Sequence, residues 1–341
     1  MIDWSRGYEA RWRVFSVDRD TWADGEPVPG IDSVRVERDI ASALYESGSV
    51  GVSGAPLAPG YYRVAMTASQ GPETERVDVA TLLCEGSEAT YSKGSASCEC
   101  AMASVLRPAD GERLLRGSYA PAGCDGAAWA AGLLRGCLHA PVAVSGSFTL
   151  VDSVVFDLGC TVLEAARTLL DAGGYLLRVD GRGEVAIGPR PLAPALSLDS
   201  AGAALLMDGI RRVRDAGDVA NRYTAVDGGI VATAQNDDAL SETGRPRVGY
   251  WRDVVDESPT RIDGETLEGY ARRKLAEQSV VRDARTYTRE WWPGVLPGDL
   301  VEGSLPSVGL GADMRVTSQS IACGCGLTVE ETAESEERTW G

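Results

Sequence analysis

The sequence predicts a mainly β protein interrupted by a small α+β module, and three observations carry that reading. Apolar and charged residues alternate singly along the first hundred positions. Val34 and Val36 lie between Arg35 and Glu37, Val64 and Met66 beside Arg63 and Ala65, Val77 and Val79 beside Arg76 and Asp78. That is the period of a sheet with one wet face. Turn pairs punctuate it at Asp24-Gly25, Pro29-Gly30, Pro59-Gly60 and Gly71-Pro72, and short strands so spaced point to a barrel or sandwich. The third observation is a break in the pattern. From Thr161 the period changes to that of a helix, with Val162, Ala165, Ala166, Leu169 and Leu170 on one stripe.

Taken in order, residues 1–109 read as one β domain, with a last strand at 96–106 and an exit loop at Pro108-Ala-Asp-Gly111. Residues 110–195 read as the α/β module. Asp125 caps a helix over 126–138, with Trp129, Leu133 and Cys137 along one face, and strand-like stretches follow at 141–149 and 151–157. Thr161 and Glu164 have the spacing of a capping box, in which each side chain satisfies a backbone N–H at the helix start. The helix they open, 162–171, stops at Gly173-Gly174 and feeds a hairpin over 175–188. Pro189, Pro191 and Pro194 make a stiff exit. Residues 196–341 return to strands. The sequence places these at 221–226, 230–235, 247–255, 285–291, 299–302, 314–320 and 327–331, with Asp227-Gly228-Gly229 as a tight hairpin turn. Asp263 is the expected cap of a helix over 264–281, with Glu268 and Arg272 paired on its wet side. The acidic run 330–337 reads as a mobile tail.

Composition excludes several functions. The chain of 341 residues carries 33 Lys and Arg against 50 Asp and Glu, a formal charge of −17. Stable wrapping of nucleic acid needs a basic footprint, which this chain lacks. The first residues carry charges throughout, unlike a signal peptide, and no apolar run reaches the ~18 residues of a membrane helix. Folding in a cytoplasm is the expectation.

Motifs for catalysis are missing too. The single histidine, His139, falls just past an expected helix end, where the helix dipole favours a cation. Gly181-Arg-Gly183 has the start of a dinucleotide fingerprint but lies between two strands, so it reads as a turn. Cys98-Glu-Cys100 and Cys323-Gly-Cys325 lack the two-residue spacing of a zinc site and fit one buried strand face. No metal and no cofactor is expected. The densest carboxylates are Asp237-Asp238 and the group Asp253, Asp256 and Glu257. These are the candidates if the protein cleaves glycans with paired acids. Trp4, Trp12, Trp22, Trp291 and Trp292 are candidates for stacking on sugar. Trp251, Trp291 and Trp292 are the expected interface anchors.

The order of these pieces resembles the baseplate or tail-tip hub proteins of long-tailed bacteriophages. Trp12-Arg-Val-Phe, Ile31-Asp-Ser-Val34 and Arg38-Asp39 are similar to the opening strands of such hubs. Ala165-Ala166 and Leu169-Leu170 leading into Gly174-Tyr175-Leu176 resemble the hub helix that enters a hairpin. Residues 218–226 and Arg247-Val-Gly249-Tyr-Trp look like the strands that return to a second barrel. Residues 264–280 match the later helix, and Leu296-Pro-Gly298-Asp299-Leu-Val301 the strand after it.

The resemblance implies two tail-tube-like β-barrel domains, 1–109 and 196–341, flanking the module. It implies a non-enzymatic hub: a homotrimer whose six barrels match a hexameric tail tube on one side and a threefold tip, spike or fibre on the other. The expected partners are distal tail or tail-tube proteins and the tip proteins. Phage DNA is expected only in transit, and stable membrane insertion is not. The expected location is the virion tail, assembled in the host bacterial cytoplasm. With no lysozyme-like, peptidase or fibre segment recognisable before Gly341, cell-wall cleavage is expected to belong to another protein. The alternatives left open by the residues are a glycan or cell-wall hydrolase and a carbohydrate-binding adhesin of the same particle.

Overall fold

A computed structural model of the chain describes residues 2–340, except 5, 93–94, 116, 152, 199–205, 208, 258, 260–264, 307–308, 312 and 325. In chain order the strands and helices are β1 (Glu9–Val17), β2 (Asp24–Pro27), β3 (Ile31–Asp39), β4 (Glu46–Ser53), β5 (Gly60–Gln70), β6 (Glu73–Ser92), β7 (Ser95–Ser104) and α1 (Arg107–Gly111). Next come β8 (Tyr119–Ala120), α2 (Gly126–Arg135), β9 (Val142–Val144), β10 (Val154–Val155), α3 (Val162–Gly173), β11 (Tyr175–Val179), β12 (Val185–Pro189) and β13 (Pro194–Leu198). The remainder are β14 (Arg211–Asp215), β15 (Arg222–Asp227), β16 (Ile230–Gln235), α4 (Arg245–Val248), β17 (Asp253–Asp256), α5 (Leu267–Gln278), β18 (Val280–Glu290), β19 (Leu300–Gly303), β20 (Met314–Cys323) and β21 (Leu327–Arg338). The chain is mainly β. Its contacts group into two compact units, residues 1–210 with 286–333 and residues 211–285 with 334–341.

In the first unit the main sheet runs in the order β18-β21-β20-β3-β4-β7-β6-β5-β1-β2, with β19 beside β20 and β13 beside β19, while β10-β8 and β11-β12-β9 form two small sheets. Two closed barrels were expected. Instead β3 pairs antiparallel with β20, Val36 opposite Ile321, so early and late strands share a sheet. Among the described residues its end strands do not pair with each other. Alternation reveals that one face of a strand is buried but carries no record of which strand lies beside it, so open and closed sheets look alike in sequence.

One face of this sheet is a core that includes Val34, Val36, Val50, Val64, Met66, Leu82, Cys98 and Cys100, all nearly inaccessible. The two cysteines share a strand face as their spacing required. The other face was expected to be wet, and at β5 it is not. Arg63 is 1% exposed, because the turn between β11 and β12 covers it. Arg63 Nη2 donates to the Arg182 carbonyl at 3.0 Å, its Nε to Thr81 Oγ1 at 3.0 Å, and its Nη1 to Asp24 at 2.5 Å.

The α/β elements behave locally as their sequence dictates. Thr161 and Glu164 form the reciprocal capping box of α3, and Gly174 closes it in the left-handed conformation at φ 67°. Asp125 caps α2 through the backbone N–H groups of Ala127 and Ala128. That helix ends at Arg135, before the expected 138, and Gly136 is its C-cap. Residues 107–111, expected as a loop, make the short helix α1 with Pro in its first turn, where a missing N–H costs nothing. α2 and α3 pack around Ala130, Leu134, Leu163, Leu169 and Leu170.

The acidic run expected as a tail is strand β21, next to β18 and β20. Within it Glu331 is wholly buried and receives two hydrogen bonds from Arg289, at 2.8 and 2.6 Å, and one from Gln319 at 2.7 Å. A charge run is solvated only if its alternate residues both face water. Here the strand period turns one carboxylate inward.

A second buried pair joins directly opposed residues of β3 and β4, Arg38 and Glu46. Arg38 Nε lies 3.3 Å from Glu46 Oε2, and its Nη2 donates to the Val79 carbonyl at 2.5 Å. Burial pushes the Glu46 carboxyl up to about 7 against the opposing pull of Arg38. A carboxyl whose folded pKa is raised stabilises the fold below its unfolded value and loses that contribution as pH rises through the folded one. Between pH 5 and pH 8 the wild type should therefore lose about 2–3 kcal/mol relative to Glu46→Gln, which stays neutral. Urea midpoints at the two pH values measure this, and parallel pH dependence of the two proteins would refute it.

In the second unit β16-β15-β17 form a three-stranded sheet, with β14 beside the start of β18. Gly228 and Gly229, at φ 56° and 85°, make the two-residue turn between β15 and β16, a geometry that fits strand twist. Tyr223, Ala225 and Ala232 pack on Tyr270, Ala271 and Leu275 of α5. That helix is capped by Thr266, whose side chain accepts from the Gly269 N–H. Asp263, the expected cap, lies outside the described residues. The ion pairs on α5 are made by Arg273, to Glu265 at 2.8 Å and Glu277 at 2.9 Å, and by Lys274 to Glu277 at 2.9 Å; among the described residues no pair of Glu268 with Arg272 is found.

Candidate interaction surface

The most built surface feature of the second unit is the segment 236–252, which leaves β16 and returns to β17. Two buried asparagines hold it. Asn221 donates from Nδ2 to the carbonyls of Thr243 and Tyr250, both at 3.1 Å, and accepts from the Arg252 N–H at 2.7 Å. Asn236 donates to Ser241 Oγ at 2.9 Å and Thr243 Oγ1 at 3.3 Å, and accepts from the Asp238 N–H at 3.2 Å. Buried amides satisfied in this way fix a backbone that has no sheet partner of its own. At Gly244 a Cβ would meet the Asp238 carbonyl at 2.1 Å, so the backbone passes itself closely there.

This held segment presents aromatics and guanidinium groups. Two guanidinium groups lie over Trp251, that of Arg222 4.9 Å from the ring centre and that of Arg245 4.8 Å away. Arg252 lies 5.2 Å over the exposed Tyr250 ring. Arg222 is also paired with Asp253, whose carboxyl is held below the usual carboxylate range by that hydrogen bond. Sequence reasoning read residues 247–255 as one strand. The structure turns 245–248 into the one-turn helix α4, closed by Gly249 at φ 90°, and only 253–256 pairs with β15. Pro246 sets the first turn of that helix, and the run Gly-Arg-Pro-Arg was the missed signal.

Neither a protein-family model nor a curated protein matches the sequence. Solved structures do match it over nearly its whole length. A tail protein from Neisseria meningitidis MC58 aligns with a TM-score of 0.68 at 14% identity, covering 97% of this chain and 97% of its own. The 43 kDa tail protein of prophage MuSo2 from Shewanella oneidensis aligns at 0.65 and 15% identity, covering 95% and 98%. The chain has the phage tail-protein fold. A Francisella PdpA–VgrG complex aligns at 0.55 and 8% identity, covering 97% of this chain and 58% of that one.

Within this tail-protein fold the residues singled out from sequence separate. Trp291 is a core residue, 4% exposed, and its Nε1 has no hydrogen-bond partner. Its side chain is enclosed by this chain, one position past β18, whose inward alternation it continues. Trp292 is half-buried against a second core with Val295 and Val301. Of the three expected anchors, Trp251 is the one set in a polar, accessible frame.

The carboxylates do not converge. Asp253 and Asp256 are three residues apart on one strand and so face opposite sides of it. Asp253 is neutralised by Arg222. Asp256 accepts from Tyr223 at 2.9 Å and Tyr270 at 2.6 Å, and burial, then this bond, raises the Tyr223 hydroxyl. Asp237 and Asp238 lie in the exposed start of the presenting segment. His139 is exposed and stands edge-on to Tyr61, with ring centres 6.2 Å apart. Among the described residues no group of three potential metal ligands forms; Cys325 lies outside them. No helix among them is long and apolar enough to cross a membrane.

Proposed function

We propose that the chain is a structural, non-catalytic hub of a phage tail tip or baseplate, or of a phage-derived injection device. The observation that carries this reading is the tail-protein fold, matched over 97% of the chain and 97% of the Neisseria protein. In the proposed assembly three copies close into a ring. Each supplies two β-walls, so that six walls face a sixfold tail tube while the threefold side receives a tip or spike. Ring closure hides strand edges that would otherwise template aggregation. The match to a VgrG-containing complex supports the spike side of this assignment. A net charge of −17 suits a channel that DNA crosses without adhering. Trp251 is proposed as a contact residue of the assembly.

Light scattering behind a sizing column, across a concentration series, tests the ring. The expected mass is three times the 36.0 kDa of the chain, with a central channel visible on imaging. A monomer at every concentration would overturn the ring.

A further inference from the structure

We propose that the Trp251 surface of one copy is the receptor for the outer face of the β6–β7 hairpin of the next copy. The proposal rests on the ring reading above and names the two surfaces that meet. Charge is distributed unevenly in this acidic chain. The second unit has 14 Lys and Arg against 17 Asp and Glu, while the first has 19 against 33. Within the second unit, residues 243–252 hold three arginines and no carboxylate. Neighbouring acids are already engaged, Asp253 with Arg222 and Glu242 with Arg214 at 2.7 Å. Arg245 and Arg247 are exposed and, among the described residues, have no carboxylate partner, on a backbone fixed by two buried asparagines. A rigid aromatic flanked by guanidinium groups is the composition of a binding hot spot, and it selects an anionic partner.

The chain itself carries the complementary feature. On the β6–β7 hairpin Glu88 and Glu99 are directly opposed across the strands, both exposed. Like charges in that position destabilise a sheet, and among the described residues neither carboxylate is paired with a cation. Gly51 of β4 lies next to Glu99, and Gly86 and Ala101 are paired beside them. These small residues leave the two carboxylates prominent on a shallow face. Tyr91, 76% exposed near the hairpin tip, adds an aromatic. Two different surfaces meeting head to tail is the contact that generates a closed ring.

The test compares wild type with three variants by light scattering, with circular-dichroism melting as the folding control. R245E/R247E reverses the receptor, E88R/E99R reverses the hairpin, and the four-fold variant reverses both. Each double variant is expected to raise the concentration of half-dissociation at least ~100-fold, and the four-fold variant to recover most of it. Trimers that survive both reversals would overturn this contact and leave the ring standing. A receptor reversal that acts while the hairpin reversal does not would assign the surface to another partner and overturn it as well. Failure of the four-fold variant to recover would show that the two surfaces do not meet. A wild-type monomer would remove the ring and this contact together.

Discussion

Replacing Arg289 with methionine is expected to cost the first unit about 3–5 kcal/mol. Arg289 and Glu331 are both wholly inaccessible, and the guanidinium meets the carboxylate through two nearly parallel hydrogen bonds. Methionine roughly preserves the volume, so the cost does not come from a cavity. It comes from Glu331, left ionised in a dry interior with only the Gln319 amide as a donor. The Gln319 bond alone offsets only part of a desolvation penalty that the ion pair had balanced. The same logic gives the second arm of the experiment. Arg289→Met combined with Glu331→Leu removes both charges and should recover most of the loss, because a buried ion pair contributes little over an apolar pair of similar size. Urea denaturation followed by circular dichroism measures both. A single-variant loss below about 1 kcal/mol would mean that water reaches Glu331. A double variant no better than the single would mean that the pair belongs to a polar network including Gln319, whose members cannot be removed two at a time.

Such buried charges mark where sequence reasoning stopped. Period and capping are local, so the box at Thr161 and Glu164, the Gly228-Gly229 turn, and the shared face of Cys98 and Cys100 were all legible. The end of α2 and the start of α5 shifted by a few residues because several polar residues near a helix end compete as caps; Thr266 is such a residue. What was not legible depends on contacts distant in sequence. Arg63 alternates with apolar neighbours exactly as an exposed residue would, and only a turn 119 positions later covers it. Glu331 looks like one more acid in an acidic run until Arg289, 42 positions earlier, is seen beside it. The Trp251 surface was half legible. The tryptophan stood out by type, but the guanidinium groups over its ring come from β15 and α4, and the asparagines that hold the segment looked like ordinary strand-end residues. The tail-protein resemblance was carried by the order of elements, and order survives where individual residues have drifted to 14% identity.

Gly181→Ala should be nearly as damaging as the Arg289 substitution, by a purely steric route. A Cβ at Gly181 would lie 1.8 Å from the Asp78 carbonyl oxygen and 2.6 Å from its carbonyl carbon. The obstacle is the backbone of strand β6 itself, held in the sheet at this point by the pairing of Asp78 with Ala65 of β5. The β11–β12 turn must therefore lift. Lifting it breaks the bond from Thr81 Oγ1 to the Gly181 carbonyl at 3.0 Å and that from Trp22 Nε1 to the Arg182 carbonyl at 2.7 Å. It also strips the buried Arg63 guanidinium of its contact to the Arg182 carbonyl. Overpacking together with stranded buried donors predicts a loss of about 3 kcal/mol or more. Gly228→Ala is the matched control. Its φ of 56° makes a side chain strained, but the space around it is open, so only the backbone term of about 1–2 kcal/mol applies. Comparing the two by denaturation separates close approach from conformational preference. Equal losses would mean that the turn is not pressed against β6. A larger loss at Gly181, with faster proteolysis of residues 175–189 in the native protein, would place the cost at that junction. The glycines of Gly181-Arg-Gly183 would then serve to bring two backbones together, which only a residue without a side chain allows.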